Sequence, residues 1–233
     1  MYTVILSSRQ AADFSVNPLI GLLDSFEAHT TEEEKKKSEW LIKFDSDDPN
    51  IPTDEKLNSY NFNIQKFVWD KHAGRASIHE VNNILYKFAD KDCKFVQFMA
   101  DDFVFTRGNF VTEILEHSDT YKIAGYPGMG DPQHSGIHHP PGGRGYCPAF
   151  SSKILDCWAG TTGPHSNTDG VATGLADILR LYYNYEVFFA PGDGTNYYVR
   201  TDCVTSRSFQ MTENQSYFNH MTHPPGDSSF KGG

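Results

Sequence analysis

The sequence lacks any apolar run of about 20 residues, the length that a membrane-spanning helix requires. Its amino terminus also lacks the basic segment and the long apolar segment of a secretory signal peptide. These two absences predict a protein of the cytoplasm that has no transmembrane segment.

Cysteine is scarce, with 4 residues in a chain of 233, and no two of them are spaced as a CxxC pair. This spacing argues against a zinc ribbon and against a dithiol redox motif. We interpret the cysteines as free, buried thiols in a reducing compartment. They are Cys93, Cys147, Cys157 and Cys203.

Basic residues are too few to balance the acidic ones. The 20 Lys and Arg residues stand against 30 Asp and Glu, which gives a net charge of −10 with histidine neutral. Because a nucleic-acid-binding protein normally presents a basic face, this composition argues against a nucleic-acid partner. An acidic protein can still bind phosphate groups where a metal ion supplies the positive charge locally.

What the chain does contain is an apolar segment that stops at two adjacent acids. Residues 95–99, FVQFM, precede Ala100 and the pair Asp101-Asp102. A short continuous apolar run is typical of a buried parallel strand, and open α/β sheets bind ligands at the carboxyl ends of such strands. Neighbouring carboxylates repel each other, and a divalent cation relieves that repulsion. The segment by itself is equally compatible with an acid pair that merely ends a strand.

Two further predicted strands also end at polar clusters. Residues 40–44 are followed by Asp45, and residues 2–6 are followed by Ser7 and Arg9. If these strands are parallel neighbours of the first one, their polar ends line a single edge of the sheet, where an α/β protein binds its ligand.

Helical patterns separate the predicted strands. Segment 77–89 has an apolar stripe at helical spacing, and further helices are predicted near 18–26, 109–116 and 170–183. The stripe comprises Ile78, Val81, Ile84, Leu85 and Phe88. The charge run 30–37 is interpreted as a solvated helix end or loop. This alternation of strands and helices predicts an α/β protein.

Four segments, taken in order, resemble the GT-A-fold glycosyltransferases and are similar to the family 2 enzymes that use a nucleotide-diphosphate sugar. They are TVILSSRQ, LIKFDSDD, GRASIHEVNNIL and FVQFMADDFVFTRGNF, and the match covers roughly residues 2–116. The resemblance implies a GT-A, Rossmann-like α/β fold, with a mixed, mainly parallel sheet flanked by helices in a single domain. That domain would span 1–210, with a nucleotide-sugar half at about 1–105 and an acceptor half at about 106–210. A peripheral, partly mobile tail, 211–233, would follow it.

The resemblance also implies roles for residues at the donor site. Ser7 and Arg9 would lie against the nucleoside, and Asp45 would accept a hydrogen bond from the base, most naturally from uracil N3–H. Arg75 would approach the base or the diphosphate. Asp101 would contact the ribose or a group bound to the metal ion.

For the metal ion, Mn²⁺ or Mg²⁺, the resemblance points to Asp102 as a direct ligand, with the cation bridging the diphosphate. The family usually has a spaced acid triplet, whereas Ala100 stands at its first position here, so it stays open which acid holds the metal. Some GT-A enzymes bring a carboxyl-terminal histidine to the metal. His220 or His223 would take that place.

The expected reaction moves a sugar from a nucleotide-diphosphate donor, most naturally UDP-linked, to a hydroxyl of a saccharide or glycan acceptor. In inverting enzymes of this fold, a carboxylate at the start of a late helix removes the acceptor proton. Asp169 stands at that place and Asp177 is the alternative, while a role of Asp169 as a simple helix cap stays open. The loop 125–145, dense in Gly, Pro and His, is expected to be functional or disordered.

Two other functions fit parts of the pattern. A sugar nucleotidyltransferase usually carries a glycine-rich, basic loop after its first strand, but residues 7–10, SSRQ, contain no glycine. A non-catalytic, Ca²⁺-dependent carbohydrate-binding module could use the acids at the strand ends. Such modules are mostly β-structure, whereas this sequence predicts many helices.

Overall fold

A computed structural model of the protein describes residues 1–9, 18–70, 78–101, 103–116, 123–124, 149–157 and 198–200. The predicted helix 170–183, the loop 125–145 and the tail 211–233 lie outside them, so the expectations for those three segments stay predictions.

The described strands form one large sheet and one separate pair. They are β1 (Tyr2–Ser8), β2 (Ser38–Asp45), β3 (Asn63–Trp69), β4 (Phe95–Phe98), β5 (Phe103–Phe105), β6 (Ile123–Ala124), β7 (Ala149–Ser151) and β8 (Tyr198–Arg200). The large sheet has the order β3-β2-β1-β4-β7-β6. Within it, β1 is parallel to β2 and β4, β2 is parallel to β3, and β7 is antiparallel to β4 and β6. β5 pairs with β8 in antiparallel fashion.

Helices cover both faces of the large sheet. The described ones are α1 (Pro18–His29), α2 (Glu32–Lys36), α3 (Asp54–Asn58), α4 (Ile78–Tyr86), α5 (Phe110–Glu116) and α6 (Ser152–Cys157). Side chains of α1 pack in one cluster with Val4 and Leu6 of β1, whereas those of α4 pack in another with Ile5. Because successive residues of a strand point to opposite faces, α1 and α4 lie on opposite sides of the sheet. The predicted mixed, mainly parallel α/β architecture is confirmed.

The larger hydrophobic cluster is centred on Phe26 of α1. Its ring meets Trp40, Phe105 and Phe110 edge-on, with ring centroids 4.9, 5.3 and 5.6 Å away. The strands β1, β2 and β4 are buried along almost their whole length, because layers of side chains cover both faces. This burial accounts for the predominance of apolar residues in these strands, whose polar exceptions include buried Glu39, Lys43 and Gln97.

The charge run 30–37 contains the short capped helix α2 and is solvated only in part, because Glu32, Glu33 and Lys36 are exposed whereas Glu34 and Lys35 are buried. Glu34 is 1% exposed. Its Oε2 accepts the backbone N–H of Thr31 at 3.1 Å, and its Oε1 accepts that of Thr112, at the start of α5, also at 3.1 Å. The Glu34 carboxylate therefore satisfies donors at the beginning of two helices, which offsets the cost of burying it.

The apolar stripe predicted for segment 77–89 is only partly buried. Val81 and Leu85 are 2% and 0% exposed, whereas Ile84 and Phe88 are 38% and 52% exposed. Phe88 lies beyond the end of α4, and its ring packs at the edge of the sheet against Phe67 of β3, at a centroid distance of 4.9 Å. The inward face of α4 is therefore narrower than the stripe that the sequence pattern predicts.

Two smaller expectations concern the thiols and the membrane. Cys93 is a free, buried cysteine as predicted, and burial raises the pKa of its thiol to about 11. The other cysteine side chains lie outside the described residues. In the part of the chain that the structure describes, no helix combines the length and the apolar character needed to cross a bilayer.

Candidate functional site

Three neighbouring parallel strands end at one edge of the large sheet. The register pairs Ser8 of β1 with Phe44 of β2, and Ile5 of β1 with Phe98 of β4. The residues that follow β1, β2 and β4 therefore meet at a common rim. This is the position at which open α/β sheets bind their ligands.

On one side of β1, Ser8 and Asp101 are joined by a short hydrogen bond. The Oγ of Ser8 donates to Oδ2 of Asp101 at 2.6 Å, and the two residues are 2% and 5% exposed. The backbone N–H of Met99 also donates to the Ile5 carbonyl at 2.9 Å, which keeps the chain beside β1 after β4 has ended. The first acid of the predicted pair is thus fixed against the end of β1.

On the other side of β1, Arg9 connects the end of β1 to the end of β2. Its Nη1 donates to Oδ2 of Asp45 at 2.8 Å and to Oδ1 of Asp47 at 2.6 Å, and its Nη2 donates to Oδ2 of Asp47 at 3.1 Å. Hydrogen bonds to Asp47 and then to Asp45 raise the pKa of the Arg9 guanidinium above its ordinary value. Arg9 remains 41% exposed, so its charge stays within reach of a ligand.

Asp45 has a second cationic partner beneath the rim. Lys43, whose side chain is 2% exposed, forms an ion pair with Oδ1 of Asp45, and its Nζ lies 5.7 Å from the centroid of the Trp69 ring. Burial by itself would raise the pKa of Asp45, but the hydrogen bonds and positive charges of Lys43 and Arg9 outweigh it and lower that pKa. Asp45 is therefore an ionised acceptor at neutral pH.

The residues predicted for the donor site divide into two groups. Ser7, Arg9, Asp45 and Asp101 are described, and they lie at or directly beside the common rim. Ser7 is half-buried near the end of β1. The remaining four predicted site residues lie outside the described residues, so their roles stay predictions. They are Arg75, Asp102, Asp169 and His220.

Two residues of the rim were not among the predicted site residues. Ser8, rather than Ser7, carries the hydroxyl that holds Asp101. Lys43 stands two residues before Asp45 in β2, and the strand period of two places both side chains on the same face. This two-residue spacing could have indicated from the sequence that Lys43 lies beside Asp45. The choice between Ser7 and Ser8 depends on which face each residue occupies, and the apolar run does not fix it.

A metal site is not complete in the described part of the chain. No group of three or more His, Cys, Asp or Glu side chains there is arranged to hold an ion. Asp101 supplies a carboxylate of the kind that Mg²⁺ and Mn²⁺ prefer, and the expected ligands Asp102 and His220 lie outside the described ranges.

A cavity of 410 Å³ lies away from this rim, beside the start of β4. Cys93, Asn83 and Tyr86 are among its lining residues, together with Ser152 and Asp156 of α6. The hydroxyl of Tyr86 donates to Oδ1 of Asp156 at 2.7 Å, and burial followed by this hydrogen bond raises the pKa of Tyr86. The cavity contains none of the predicted site residues.

The fold and the rim together define an α/β protein of the GT-A type. Among solved structures, S. aureus TarS 1–349 has a TM-score of 0.59 and 15% identity to this chain, and the match covers 86% of this chain and 60% of that one. The complex of TarS 1–349 with UDP gives a TM-score of 0.59 at 14% identity, covering 86% and 60%. The complex with UDP-GlcNAc gives 0.55 at 13% identity, covering 86% and 58%.

These likenesses establish the fold, and the GT-A fold expected from the sequence is confirmed. The chain spans about three fifths of TarS 1–349 and 36% of the longer TarS structure. No protein-family model matches the chain, and no curated protein matches it in sequence.

Proposed function

We propose that the chain is a glycosyltransferase that moves a sugar from a UDP-linked donor to the hydroxyl of a saccharide or glycan acceptor. The observation that carries the proposal is the rim itself, where Asp45 and Asp101 lie on either side of the end of β1 and are held by Arg9 and Ser8. The shared fold supports it, since TarS has been crystallised with UDP and with UDP-GlcNAc.

Asp45 is suited to read the nucleobase. Its carboxylate is ionised, because Lys43 and Arg9 stabilise the negative charge, and an ionised carboxylate only accepts hydrogen bonds. Uracil presents an N3–H donor, whereas N3 of neutral cytosine is an acceptor that a carboxylate repels. A charge-assisted hydrogen bond at N3 therefore favours uracil over cytosine, which has a donor only at its N4 amino group.

The diphosphate requires positive charge, which an acidic chain supplies best through a metal ion and a few cations. Asp102 and His220 would hold Mn²⁺ or Mg²⁺. Asp101 would contact the ribose or a group bound to the metal ion, and Arg75 would approach the phosphates. When bound, the cation neutralises the charge that develops on the departing nucleoside diphosphate.

Asp169 is proposed as the base that accepts the proton of the acceptor hydroxyl in an inverting transfer, with Asp177 as the alternative. The acceptor hydroxyl loses its proton as its oxygen bonds to the anomeric carbon, and UDP leaves from the opposite side. This assignment rests on the resemblance of the sequence, since both acids lie outside the described residues.

The proposal is tested first by binding and then by turnover. Isothermal titration of UDP and CDP into the wild-type chain, with Mn²⁺ or with chelator, should give UDP binding that is tighter with the metal and tighter than CDP binding. Asp45→Asn should weaken UDP binding about tenfold or more, because it removes the charged acceptor. Glu33→Gln, on the exposed α2 surface, is the matched control and should leave binding unchanged.

Turnover with a panel of nucleotide sugars then distinguishes the remaining functions. Release of UDP from a UDP-sugar supports the glycosyltransferase. Formation of a sugar nucleotide from UTP and a sugar 1-phosphate would instead identify a nucleotidyltransferase. Sugar binding that needs Ca²⁺ but no nucleotide would identify a carbohydrate-binding module, and either of these two results would refute the proposal.

A further inference from the structure

Lys43 is an unusual residue for its place in the fold. It lies in the central strand β2, between two parallel neighbours, and its side chain is 2% exposed. Lysine is almost never fully buried unless its charge is paired, and an aliphatic residue would satisfy the packing of this strand without any charge. The ammonium group is therefore explained by its partner, which is Asp45 at the rim.

We propose that Lys43 is a positioning residue that fixes the orientation and the negative charge of Asp45 for recognition of the donor's nucleobase. The inference deepens the proposed function and rests on it, because Asp45 is the residue proposed to accept the uracil N3–H. Lys43 itself is not expected to touch the ligand, since it lies below the carboxylate and is closed off from solvent.

The two cations on Asp45 are not equivalent. Lys43 is buried and contacts Oδ1, whereas Arg9 is 41% exposed, contacts Oδ2 and is also paired with both oxygens of Asp47. A nucleoside that enters the rim can draw the exposed Arg9 towards itself, but it cannot displace the buried Lys43. Lys43 thus keeps Asp45 charged and oriented when Arg9 turns to the ligand.

The charge balance around Asp45 predicts what the loss of Lys43 does. Among the described residues, the charged groups at the same ends of β1, β2 and β3 are Arg9, Lys43, Asp47, Asp48 and Asp70. Burial favours the protonated form of Asp45, and the hydrogen bonds and positive charges of Lys43 and Arg9 favour the ionised form. Without Lys43, Arg9 is the one cation among the described residues that still opposes the effect of burial, so the carboxyl protonates at a higher pH. A protonated Asp45 is a poorer acceptor for uracil N3–H.

The test uses Lys43→Met, which keeps an unbranched apolar chain and removes the charge, and Lys43→Arg, which keeps the charge. The dissociation constant for UDP is measured by titration calorimetry from pH 8 to pH 5 in each variant and in the wild type. Dividing each value by that of the wild type at the same pH cancels the titration of the UDP phosphates. For Lys43→Met this ratio should rise as the pH falls, by up to about tenfold per pH unit below the new pKa of Asp45. Lys43→Arg should stay near the wild type.

A purely structural role of Lys43 gives a different result. Lys43→Met would then weaken UDP binding by the same factor at every pH, and this outcome would overturn the proposal. The double variant Lys43→Met/Asp45→Asn removes both charges and should give a ratio that does not change with pH. It also provides a charge-balanced protein should Lys43→Met alone unfold.

A second measurement needs no ligand and separates this inference from the proposed function. The pKa of Asp45 is read from the ¹³C shift of its carboxyl carbon during an NMR titration. A higher pKa in Lys43→Met than in the wild type supports the action of Lys43 on Asp45, and an unchanged pKa overturns it. If the wild type fails to bind UDP at all, the proposed function fails, and the base-recognition role of Lys43 fails with it.

Discussion

Ser8→Ala removes the hydroxyl that donates to Oδ2 of Asp101 at 2.6 Å. Both residues are buried, so water cannot readily replace the lost donor. A hydrogen bond to a charged group contributes about 1.5–3 kcal/mol, and the variant should lose a free energy of unfolding in that range. With a urea dependence of about 2 kcal/mol per molar, the midpoint of urea unfolding should fall by about 1 M.

The assay is equilibrium unfolding in urea, followed by tryptophan fluorescence, because Trp40 is fully buried in the core. Ser59→Ala is the matched control, since its exposed hydroxyl also donates a hydrogen bond, at 2.7 Å to the Lys56 carbonyl. The control should change stability by less than about 0.5 kcal/mol. If Ser8→Ala and Ser59→Ala have the same midpoint, the Ser8–Asp101 contact does not hold the rim, and the reasoning is refuted.

Three further predictions concern Asp45, Asp102 and Glu34. The pKa of Asp45 is lower in the folded state than in the unfolded state, where it is about 3.9. The ionised carboxylate therefore stabilises the fold fully above the unfolded-state pKa. This stabilisation is lost as the pH falls through the folded-state pKa. The difference in unfolding free energy between wild type and Asp45→Asn should therefore be constant from pH 5 to 8 and shrink below about pH 4; a constant difference at all pH values would contradict this. Asp102→Ala should abolish the effect of chelator on UDP binding, and an unchanged chelator effect would remove Asp102 from the metal site. Glu34→Ala should destabilise the fold by about 2–3 kcal/mol in urea unfolding, because the backbone N–H groups of Thr31 and Thr112 lose their buried acceptor; a change within about 0.5 kcal/mol would refute this capping role.

The sheet and its candidate binding edge could be predicted from the sequence because buried strands are rich in apolar residues. β1, β2 and β4 are covered on both faces, so each is rich in apolar residues, and acidic or hydroxyl residues follow where the chain reaches the rim. The position of Asp45 and Asp101 beside β1 follows from that rule together with parallel pairing.

Contacts between distant parts of the chain leave no such pattern in the sequence. Glu34 was assigned to a solvated run because its second donor, Thr112, lies 78 residues away in sequence. β5 has only three residues, and its partner β8 lies almost a hundred residues away in sequence. For this reason β5 was not among the predicted strands. Ile84 and Phe88 were predicted as part of the apolar stripe of segment 77–89, and the spacing of that stripe does not show how much of it the neighbouring strands cover.

The central claim is that the carboxyl ends of β1, β2 and β4 bind the nucleotide. The most direct test is a crystal structure of the chain with UDP and Mn²⁺. The uracil should lie at the rim with its N3–H within hydrogen-bond distance of Asp45, and the ribose or the diphosphate should lie on the Asp101 side. UDP bound away from this rim, for example in the cavity beside Cys93 and Tyr86, would contradict the claim.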